Sequence, residues 1–405
     1  MDDIEIPQYF VCPISLQIMK DPVIVVTGIT YDRESIEQWL SSGKNTTCPV
    51  TKQPLPNESD LTPNLTLRRL IQAWCITNAS HGVDRIPTPK SFSDRTQVVK
   101  LIQDLGVPQL RFQSLKKLEA VASKNEKNRK SMVEAGVIKA MVSLITSCFK
   151  GALVDGLSEA LNVFHLVWIP TEQTKKLVSD NHDLVESIIW VLQQKMDDQE
   201  TVKTRALLVL KIITEVASGM LMERLKLDFF KKMVGVLRHR ISQQATKVAL
   251  HVLLEACLCG RNRAKIIEAG AVFELIEIEL GAPEKRITEL VMAILDHLCC
   301  SPDGRAQLLG HAGGIAIVSK RILRVSPAVD DRAVRILMSI AKFSGTNEVL
   351  HEMLRVGAVS KLCMVLQAES AANVKEKARE VLRLHNNVWS SSPCIQVYLL
   401  TRYNR

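Results

Sequence analysis

Aromatic residues are scarce in this 405-residue sequence, at 4%, although hydrophobic residues as a whole make up 46% of it. Leu, Ile, Val and Ala supply most of the apolar content, which favours helical packing over a sandwich or barrel rich in strand aromatics. No apolar run approaches the roughly 18 residues of a membrane-spanning helix. The acidic N-terminus, residues 1–7, also lacks the basic start of a secretory signal.

Closely spaced cysteine pairs are also missing from the first 81 residues, where the strong zinc ligands are only Cys12, Cys48, Cys75 and His81. A cross-braced zinc module needs about eight such ligands in close pairs, so we expect no metal and no cofactor. A small module without zinc needs another source of stability. Candidates are hydrogen bonds and ion pairs among Lys20, Asp21, Asp32, Arg33, Glu34 and Asn64.

Charge divides the chain into two parts. The net charge is +9, but residues 1–80 contain six Lys and Arg against nine Asp and Glu, so the excess of positive charge lies in the rest of the chain. A Pro- and Gly-containing polar stretch at 80–95 interrupts any helical or strand period and is predicted to be a linker. The ten cysteines, several of them inside helix-like segments, indicate reduced thiols and a cytosolic or nuclear compartment.

The segment before this linker predicts a hairpin and two helices. The β-branched run 23–27, Gly28 and the run 29–31 indicate a short hairpin. A helix is expected to open at Asp32 or Arg33 and to stop at 41–43, and a second helix is expected after 63–64. These elements are punctuated by two Cys-Pro phrases, one before the hairpin and one after the first helix.

The ordered set of residues across 7–79 resembles a U-box, a zinc-free relative of the RING domain that acts as a ubiquitin ligase. The residues that carry the resemblance are Phe10-Val11-Cys12-Pro13-Ile14-Ser15, Met19-Lys20-Asp21-Pro22-Val23, Gly28-Ile29-Thr30-Tyr31-Asp32-Arg33, Trp39-Leu40, Cys48-Pro49-Val50-Thr51, Leu55, Pro63-Asn64 and Leu67-Arg68. The resemblance implies a shallow groove that binds a ubiquitin-charged conjugating enzyme. Carried onto this chain, the groove is Ile14, Trp39 and Pro49, with Val11, Cys12 and Pro13 supporting its first loop.

Apolar anchors of this kind suit a small, weak interface that must release its partner. Periodicity alone leaves a second interpretation open for Trp39, as a core residue of an amphipathic helix. The resemblance further implies that Lys52 bridges the conjugating enzyme and ubiquitin, where Arg would be the better donor; a solvated loop lysine is the alternative. Residues 1–80 contain no His to activate Cys12 or Cys48, so no catalytic nucleophile and no covalent ligase intermediate are expected.

After Thr96 one phrase recurs before apolar helices, with its turn position at Gly136, Gly270, Gly313 and Gly357. Degenerate copies have Asp183 and Asp228 at this turn position. We call the residue at the turn position of each copy its landmark, and successive landmarks lie 42 to 47 residues apart. This period is in the armadillo/HEAT range, and the copies resemble armadillo repeats. Glycine at the landmark permits a tight turn, while the two aspartates are candidate helix N-caps. Six or seven stacked repeats over 96–389 would form an α-solenoid with one continuous core, and 390–405 departs from the pattern as a cap or tail.

The predicted fold is therefore mainly α: a small α+β U-box followed by an armadillo-repeat solenoid. This arrangement resembles the short class of plant U-box ligases, which implies substrate recruitment by the repeats and a role in plant defence or abiotic stress signalling. The expected partners are a ubiquitin-conjugating enzyme, ubiquitin and a protein substrate, with no membrane span and no nucleic acid. Cytoplasmic, nuclear or peripheral membrane localisation and a homodimer are all compatible with the sequence. The alternative function is a non-catalytic armadillo scaffold whose U-box docks or dimerises.

We expect substrates in a groove lined by the helices that follow the landmarks. The corresponding positions have mixed charge and include only one tryptophan, which disfavours the regular Trp/Asn ladder of nuclear-import receptors. They are Lys139, Ser143, Glu186, Trp190, Lys232, Glu274, Glu277, Lys320, Lys361 and Met364. Substrate identity, chain linkage, the preferred conjugating enzyme and the regulating signal do not follow from the sequence.

Overall fold

The computed structural model of the chain describes residues 6–41, 47–55, 61–78, 95–194, 199–390, 392–393 and 395–397. Two compact units are present, Met1–Asp94 and Arg95–Arg405. The predicted linker lies outside the described residues except for its last position, and so does the end of the predicted C-terminal tail.

The first unit contains the predicted hairpin and both predicted helices. Its elements are a 3₁₀ helix (Gln8–Phe10), β1 (Pro22–Ile24), β2 (Thr30–Asp32), α1 (Arg33–Ser41), β3 (Thr62–Pro63) and α2 (Leu65–Thr77). The strands form an antiparallel sheet in the order β2-β1-β3, and β3 is a two-residue strand that the sequence did not predict. Gly28 turns the hairpin with a φ of 80°, a conformation that glycine adopts at little cost.

Helix α1 begins at Arg33 and places Ile36 in the core, with Trp39 and Leu40 half-buried beside it, as the i, i+3, i+4 spacing predicts. Helix α2 begins after Asn64, whose side chain accepts a hydrogen bond from the Leu67 N–H and so caps the helix. The core that these elements share consists of Phe10, Cys12, Met19, Val23, Val25, Tyr31, Ile36, Cys48, Leu55, Ile71 and Cys75.

Among its described residues, the second unit contains helices joined by loops and no strands. In chain order its helices are α3 (Arg95–Asp104), α4 (Pro108–Ala122), α5 (Glu126–Glu134), α6 (Val137–Gly151), α7 (Leu157–Val167), α8 (Glu172–Val178), α9 (His182–Gln193), α10 (Gln199–Val216), α11 (Gly219–Arg224), α12 (Leu227–His239), α13 (Gln243–Leu258), α14 (Gly260–Glu268), α15 (Ala271–Leu280), α16 (Lys285–Cys299), α17 (Pro302–Gly310), α18 (Gly314–Arg321), α19 (Pro327–Ser344), α20 (Asn347–Arg355), α21 (Ala358–Gln367), α22 (Ala372–Leu384) and α23 (Asn386–Trp389).

These helices repeat in sets of three, and one continuous apolar core runs from Val98 to Ile395. Each set has a short helix, then a helix that follows the landmark phrase, then a long helix. The predicted turn is present at Gly136, Gly270 and Gly357, whose φ values of 89°, 83° and 75° place them in the left-handed region. These three glycines directly precede α6, α15 and α21, so the predicted role of the landmark is confirmed there. The turn is absent at Gly313, whose φ is −93°.

The aspartate landmarks do not cap their helices as predicted. Asp183 and Asp228 are the second residues of α9 and α12 and so lie within the first turns of these helices. The cap of α9 is Asn181, whose side chain accepts from the Leu184 N–H at 2.9 Å. An acidic side chain in the first turn still interacts favourably with the helix dipole, which explains the residue type without a capping bond.

The predicted groove positions require a correction. They lie on the landmark helices, yet the closest contacts between repeats are made by the long helices α7, α10, α13, α16, α19 and α22. In a curved array the row of helices that approach each other most closely forms the inner side. Glu274, one of the predicted groove residues, is buried and paired with Arg238 at 2.7 Å. The landmark helices therefore form a second, outer row.

Among the described residues, no single helix has the length and apolar composition to cross a membrane, while α5 and α6 together pass that test as a pair bent by 69°.

Candidate functional site

Two loops of the first unit are structural copies of each other. The first loop, residues 12–17, has the sequence Cys-Pro-Ile-Ser-Leu-Gln, and the second loop, residues 48–53, has Cys-Pro-Val-Thr-Lys-Gln. In each loop the N–H of the fifth residue, Leu16 or Lys52, donates to the carbonyl of the opening cysteine at 2.9 Å. The cysteine N–H donates in turn to the carbonyl of the closing glutamine at 2.8 Å. Leu16 and Lys52 share a left-handed backbone, with φ values of 55° and 61°.

Strand β2 contacts both loops through their cysteine sulfurs. The Tyr31 hydroxyl lies 3.0 Å from Cys48 Sγ, and the N–H of the next residue, Asp32, donates to Cys12 Sγ at 3.2 Å. Tyr31 is fully buried, and its hydroxyl also accepts a hydrogen bond from the Val50 N–H at 3.3 Å. Two consecutive residues of one strand therefore hold the two loops at a defined separation.

The surroundings of the second-loop sulfur favour its ionised form. Burial by itself raises the pKa of the Cys48 thiol, but hydrogen bonds from the hydroxyls of Thr27, Thr51 and Tyr31 outweigh burial and lower that pKa to about 6. Burial likewise opposes ionisation of Cys12, and backbone N–H donors, that of Asp32 first among them, bring its pKa below the usual value. Both cysteines are fully buried, so each sulfur acts as a hydrogen-bond acceptor inside the fold.

Two carboxylates, those of Asp32 and Asp21, stabilise the segment that leads into β1. Asp32 Oδ1 accepts from the backbone N–H groups of Lys20 and Asp21, at 2.8 Å each. The Asp21 carboxylate pairs with Arg33 Nε at 2.7 Å, and Arg68 of α2 lies 3.8 Å from its other oxygen. These bonds connect the chain before β1, the end of β2 and α2, so the predicted network of hydrogen bonds and ion pairs is confirmed for these residues.

Asn64 completes this network, because its N–H donates to Pro22 O at 2.8 Å and its amide lies 3.4 Å from Thr30 Oγ1. Glu34 was predicted to take part, but it makes no such bond to another residue in the described part of the chain. Within the same described residues, no group of three or more His, Cys, Asp or Glu is arranged to hold a metal ion.

The predicted contact residues lie on the two loops and on α1. Trp39 is half-buried against the core, and its indole N–H donates to the carbonyl of Thr47, directly before the second loop, at 3.0 Å. The indole thus joins α1 to that loop while part of the ring stays accessible. In the second loop Pro49 is half-buried and Lys52 is exposed.

In the first loop Pro13 is exposed and Ile14 is half-buried, packed against the core. Val11 precedes the loop and forms an isolated antiparallel bridge with Ile18, which closes the loop at its base. Cys12 is fully buried, so it can support the first loop but cannot touch a partner. The assignment of these residues to a conjugating-enzyme surface remains a prediction.

Two apolar side chains of the loops were missed by the sequence prediction. Leu16 is 77% exposed and Val50 is 52% exposed, so each loop presents an apolar side chain to solvent. The signal was present in the sequence, since matching the two Cys-Pro phrases residue by residue pairs Ile14 with Val50 and Leu16 with Lys52. Exposed apolar groups on both loops widen the surface on which a partner can bind.

Comparisons with known proteins assign both units. Residues 6–80 match the U-box domain, and residues 97–405 match the plant U-box protein ARM repeat region. The Arabidopsis thaliana protein E3 ubiquitin-protein ligase PUB23 is 45% identical, over 99% of this chain and 98% of its own length. A second Arabidopsis thaliana relative, E3 ubiquitin-protein ligase PUB24, is 42% identical over 99% of this chain and 96% of its own length.

Among solved structures, a chain from a study of the phosphorylation switch that controls the interaction between cadherin and beta-catenin aligns with a TM-score of 0.62. The alignment covers 79% of this chain and 57% of that chain at 11% identity. At such low identity the likeness shows the fold alone, which is a solenoid of helical repeats. The predicted fold class is confirmed by this match together with the two family assignments.

Proposed function

Because the chain belongs to the plant U-box proteins with an armadillo-repeat region and is a ubiquitin transferase of that class, we propose that its two loops and α1 recruit a ubiquitin-charged conjugating enzyme. The proposed contact residues are Val11, Pro13, Ile14, Trp39 and Pro49, to which we add Leu16 and Val50. Cys12 supports the first loop from inside the fold, and Lys52 is assigned to the transfer step. The observation that carries this proposal is the pair of matched loops, held by β2 and presenting apolar side chains outward.

The chemistry of this surface fits a partner that binds and leaves in each cycle. A few apolar anchors and one tryptophan supply most of the free energy of a small interface, while its modest area keeps dissociation fast. The ladder of hydrogen bonds beneath the loops keeps the anchors in place before the partner arrives, so little ordering entropy is lost on binding.

Transfer proceeds without a covalent ligase intermediate. The two cysteines of the surface are fully buried and serve as acceptors within the fold, so neither sulfur is open to a ubiquitin thioester. The ligase then accelerates transfer by restraining the charged conjugate in a reactive orientation, an effect of positioning that needs no acid or base from this chain. Lys52, exposed on the second loop, donates to the conjugate in that restrained state.

The remaining proposals concern the whole protein. We assign 7–79 to the U-box, 80–95 to a linker, 96–389 to the array that binds protein substrates and 390–405 to a terminal cap or tail. A role in plant defence or abiotic stress signalling is supported by the resemblance to the short class of plant U-box ligases. The proposed location is cytoplasmic, with a nuclear or peripheral membrane fraction, and a homodimer is compatible with the U-box.

Self-ubiquitination tests the proposed surface. The full chain is incubated with activating enzyme, ubiquitin and a panel of conjugating enzymes, and Ile14→Ala and Trp39→Ala are compared with Leu70→Ala. Leu70 is the control because it is an accessible apolar residue of α2 and so belongs neither to the two loops nor to α1. We expect the two loop-surface variants to lose roughly tenfold or more of the rate, as for central residues of an interface, and the control to keep it.

Circular dichroism of each variant separates loss of the surface from loss of the fold. A folded wild-type chain that transfers no ubiquitin with any enzyme of the panel would favour the alternative function, a non-catalytic scaffold with a docking U-box. Equal activity of Trp39→Ala and wild type would overturn the proposed surface while leaving the ligase activity in place.

A further inference from the structure

A cavity of about 480 Å³ lies between the last two landmark helices, α18 and α21. Four cationic side chains line it, those of Lys320, Arg324, Arg355 and Lys361, and we refer to it as the basic cavity. The Ser360 hydroxyl and small side chains complete the lining, which includes no aromatic residue and no carboxylate. Lys320, Arg324 and Arg355 are exposed, so a ligand can reach them from solvent.

Several other cations of the array are neutralised by a carboxylate of the neighbouring repeat. Arg238 pairs with Glu274 at 2.7 Å, and Lys377 pairs with Asp331 at 2.8 Å. Neighbouring repeats are joined in the same way by the pairs Lys226–Glu186, Arg261–Glu223, Arg321–Glu279 and Arg335–Asp296. In these pairs a fixed carboxylate neutralises the cation, whereas Arg240, Lys265 and Arg332 donate instead to backbone carbonyls of the neighbouring repeat.

The basic cavity departs from this pattern. Of its four cations only Arg355 has an ion pair in the described part of the chain, with Glu352 of its own helix at 2.6 Å. Asp330 attracts Lys361 electrostatically, but it is engaged in a hydrogen bond from the Leu323 N–H at 2.6 Å. Even when both carboxylates are counted against the four cations, two positive charges remain without compensation.

Two uncompensated positive charges in a recess match one dianionic phosphate. Arg324 can donate two parallel hydrogen bonds to phosphate oxygens, and the lysines add point charges. Arg355 already donates to both oxygens of Glu352, so it contributes mainly through its remaining N–H groups. The start of α21 contributes further, because Gly357 has no side chain to cap the first N–H groups of the helix. A carboxylate side chain would carry only one charge and fewer acceptor positions than a phosphate.

A protein segment fits this recess better than a membrane or a nucleic acid. A lipid surface is recognised by a broad basic face with apolar side chains that insert, whereas these cations surround a cavity. Single-stranded nucleic acid is bound along an extended groove with aromatic stacking platforms, and none of the cavity residues is aromatic. A short peptide can place one phosphorylated side chain in the cavity and run along the outer row of helices.

We propose that the basic cavity binds a phosphoserine or phosphothreonine in an acidic segment of a partner protein. The partner would thereby be attached to the last two repeats, outside the inner row of long helices. The proposal deepens the role of the array as a docking platform and rests on that role for its biological meaning, but binding itself does not depend on ubiquitin transfer.

The test measures binding to the full chain by fluorescence anisotropy. The probe is a labelled peptide of Asp and Glu around one phosphoserine, compared with the same peptide carrying unmodified serine. The cavity variant is Lys320→Gln, Arg324→Gln, Lys361→Gln. The matched control, Lys100→Gln, Lys117→Gln, Lys124→Gln, removes the same charge from exposed side chains of the first repeat region. Each variant is also tested for self-ubiquitination, because the proposed recruiting surface lies in the first unit and is not altered by these substitutions.

We expect the phosphorylated peptide to bind at least about tenfold more tightly than the unmodified one, and the cavity variant to lose about that factor while the control keeps it. Equal binding of both peptides, or equal binding by the cavity and control variants, would overturn the proposal. Binding of phosphatidylserine or phosphoinositide vesicles that needs the cavity, with no peptide binding, would also overturn it in favour of a membrane site. Retained self-ubiquitination in the cavity variant keeps a failure here distinct from a failure of the ligase function.

Discussion

The Tyr31 hydroxyl lies 3.0 Å from the sulfur of Cys48, inside the core and directly beneath the second loop. The same hydroxyl accepts a hydrogen bond from the Val50 N–H. One side chain of β2 thus contacts both the cysteine and the backbone of the second loop. The contact stabilises negative charge on the sulfur, while burial and the neighbouring sulfur raise the pKa of Tyr31 itself. A buried tyrosine and a thiol thereby hold part of the surface that is proposed to recruit the conjugating enzyme.

The Cys48 thiol is expected to titrate near pH 6. Its pKa is lower in the folded chain than in the unfolded one, so the ionised form stabilises the fold. This stabilisation is full above the unfolded pKa of about 8.5, declines as the pH falls and is absent below about pH 6. The difference in thiolate absorbance between wild type and Cys48→Ser, recorded against pH, should show a midpoint near 6. A midpoint above 8 would contradict the proposed donor set.

Lys52 is expected to act in transfer rather than in binding. Lys52→Arg should raise the rate of ubiquitin discharge by a few-fold, because a guanidinium can donate two parallel hydrogen bonds. Lys52→Leu copies the residue at the matching position of the first loop, where Leu16 has the same left-handed backbone, so the loop should keep its shape. We expect that variant to lose several-fold in rate with unchanged affinity for the conjugating enzyme. Unchanged discharge by both variants would support the solvated loop lysine.

Asp32 is expected to be a main source of stability in the zinc-free unit. Its Oδ1 accepts two backbone N–H groups, and Asp32→Ala would leave both without that partner at a cost of about 2–3 kcal/mol. Asp32→Asn keeps an acceptor oxygen and should cost clearly less. Hydrogen–deuterium exchange of β1 in the full chain, at fixed pH, measures this difference. Equal exchange in the two variants would show that the acceptor does not matter.

Chelation is expected to leave the first unit intact. Hydrogen bonds and ion pairs connect its two loops and its sheet, so treatment with EDTA should change neither the circular dichroism nor the self-ubiquitination rate. A zinc-containing RING ligase treated in parallel should lose its activity. Stoichiometric zinc in the purified chain, measured by elemental analysis, would contradict this expectation.

In the array, the buried carboxylate of Glu279 is expected to depend on Arg321. The two side chains form an ion pair in which Glu279 is fully buried, and Thr288 donates a further hydrogen bond at 3.2 Å. Arg321→Gln would leave a buried charge unpaired and should cost about 3–5 kcal/mol near neutral pH. The double variant Glu279→Gln, Arg321→Gln removes the charge and should recover much of that loss.

The pH dependence of Arg321→Gln has a definite sign. Burial raises the pKa of Glu279, and without Arg321 that pKa rises further, so the folded variant takes up a proton more readily than the unfolded chain. Its stability deficit should therefore grow as the pH rises above the unfolded pKa of about 4.3. Thermal unfolding followed by circular dichroism at about pH 5 and about pH 7.5 checks this, and a smaller deficit at the higher pH would refute it.

Much of the fold was predictable because it depends on local sequence signals. The spacing of Ile36, Trp39 and Leu40 predicted α1, and Asn64 predicted the start of α2. The recurrence of the landmark predicted the helical repeats, although the aspartate copies were wrongly expected to cap their helices. Two exposed apolar residues of the candidate site, Leu16 and Val50, were missed, because exposure depends on how the loops pack against the rest of the unit.

The sequence by itself determined the family of this protein, its two kinds of unit and the residue types at the proposed recruiting surface, since motifs and periods are properties of neighbouring residues. Only the tertiary structure decided that Tyr31 and Asp32 hold the two loops through their sulfurs, and that the long helices form the inner row. Only the structure, too, showed which cations pair with carboxylates across repeats, and which cations of the basic cavity have no ion pair within the described part of the chain. The physical reason is that these contacts join side chains far apart in the chain, and burial and charge pairing depend on where those side chains meet.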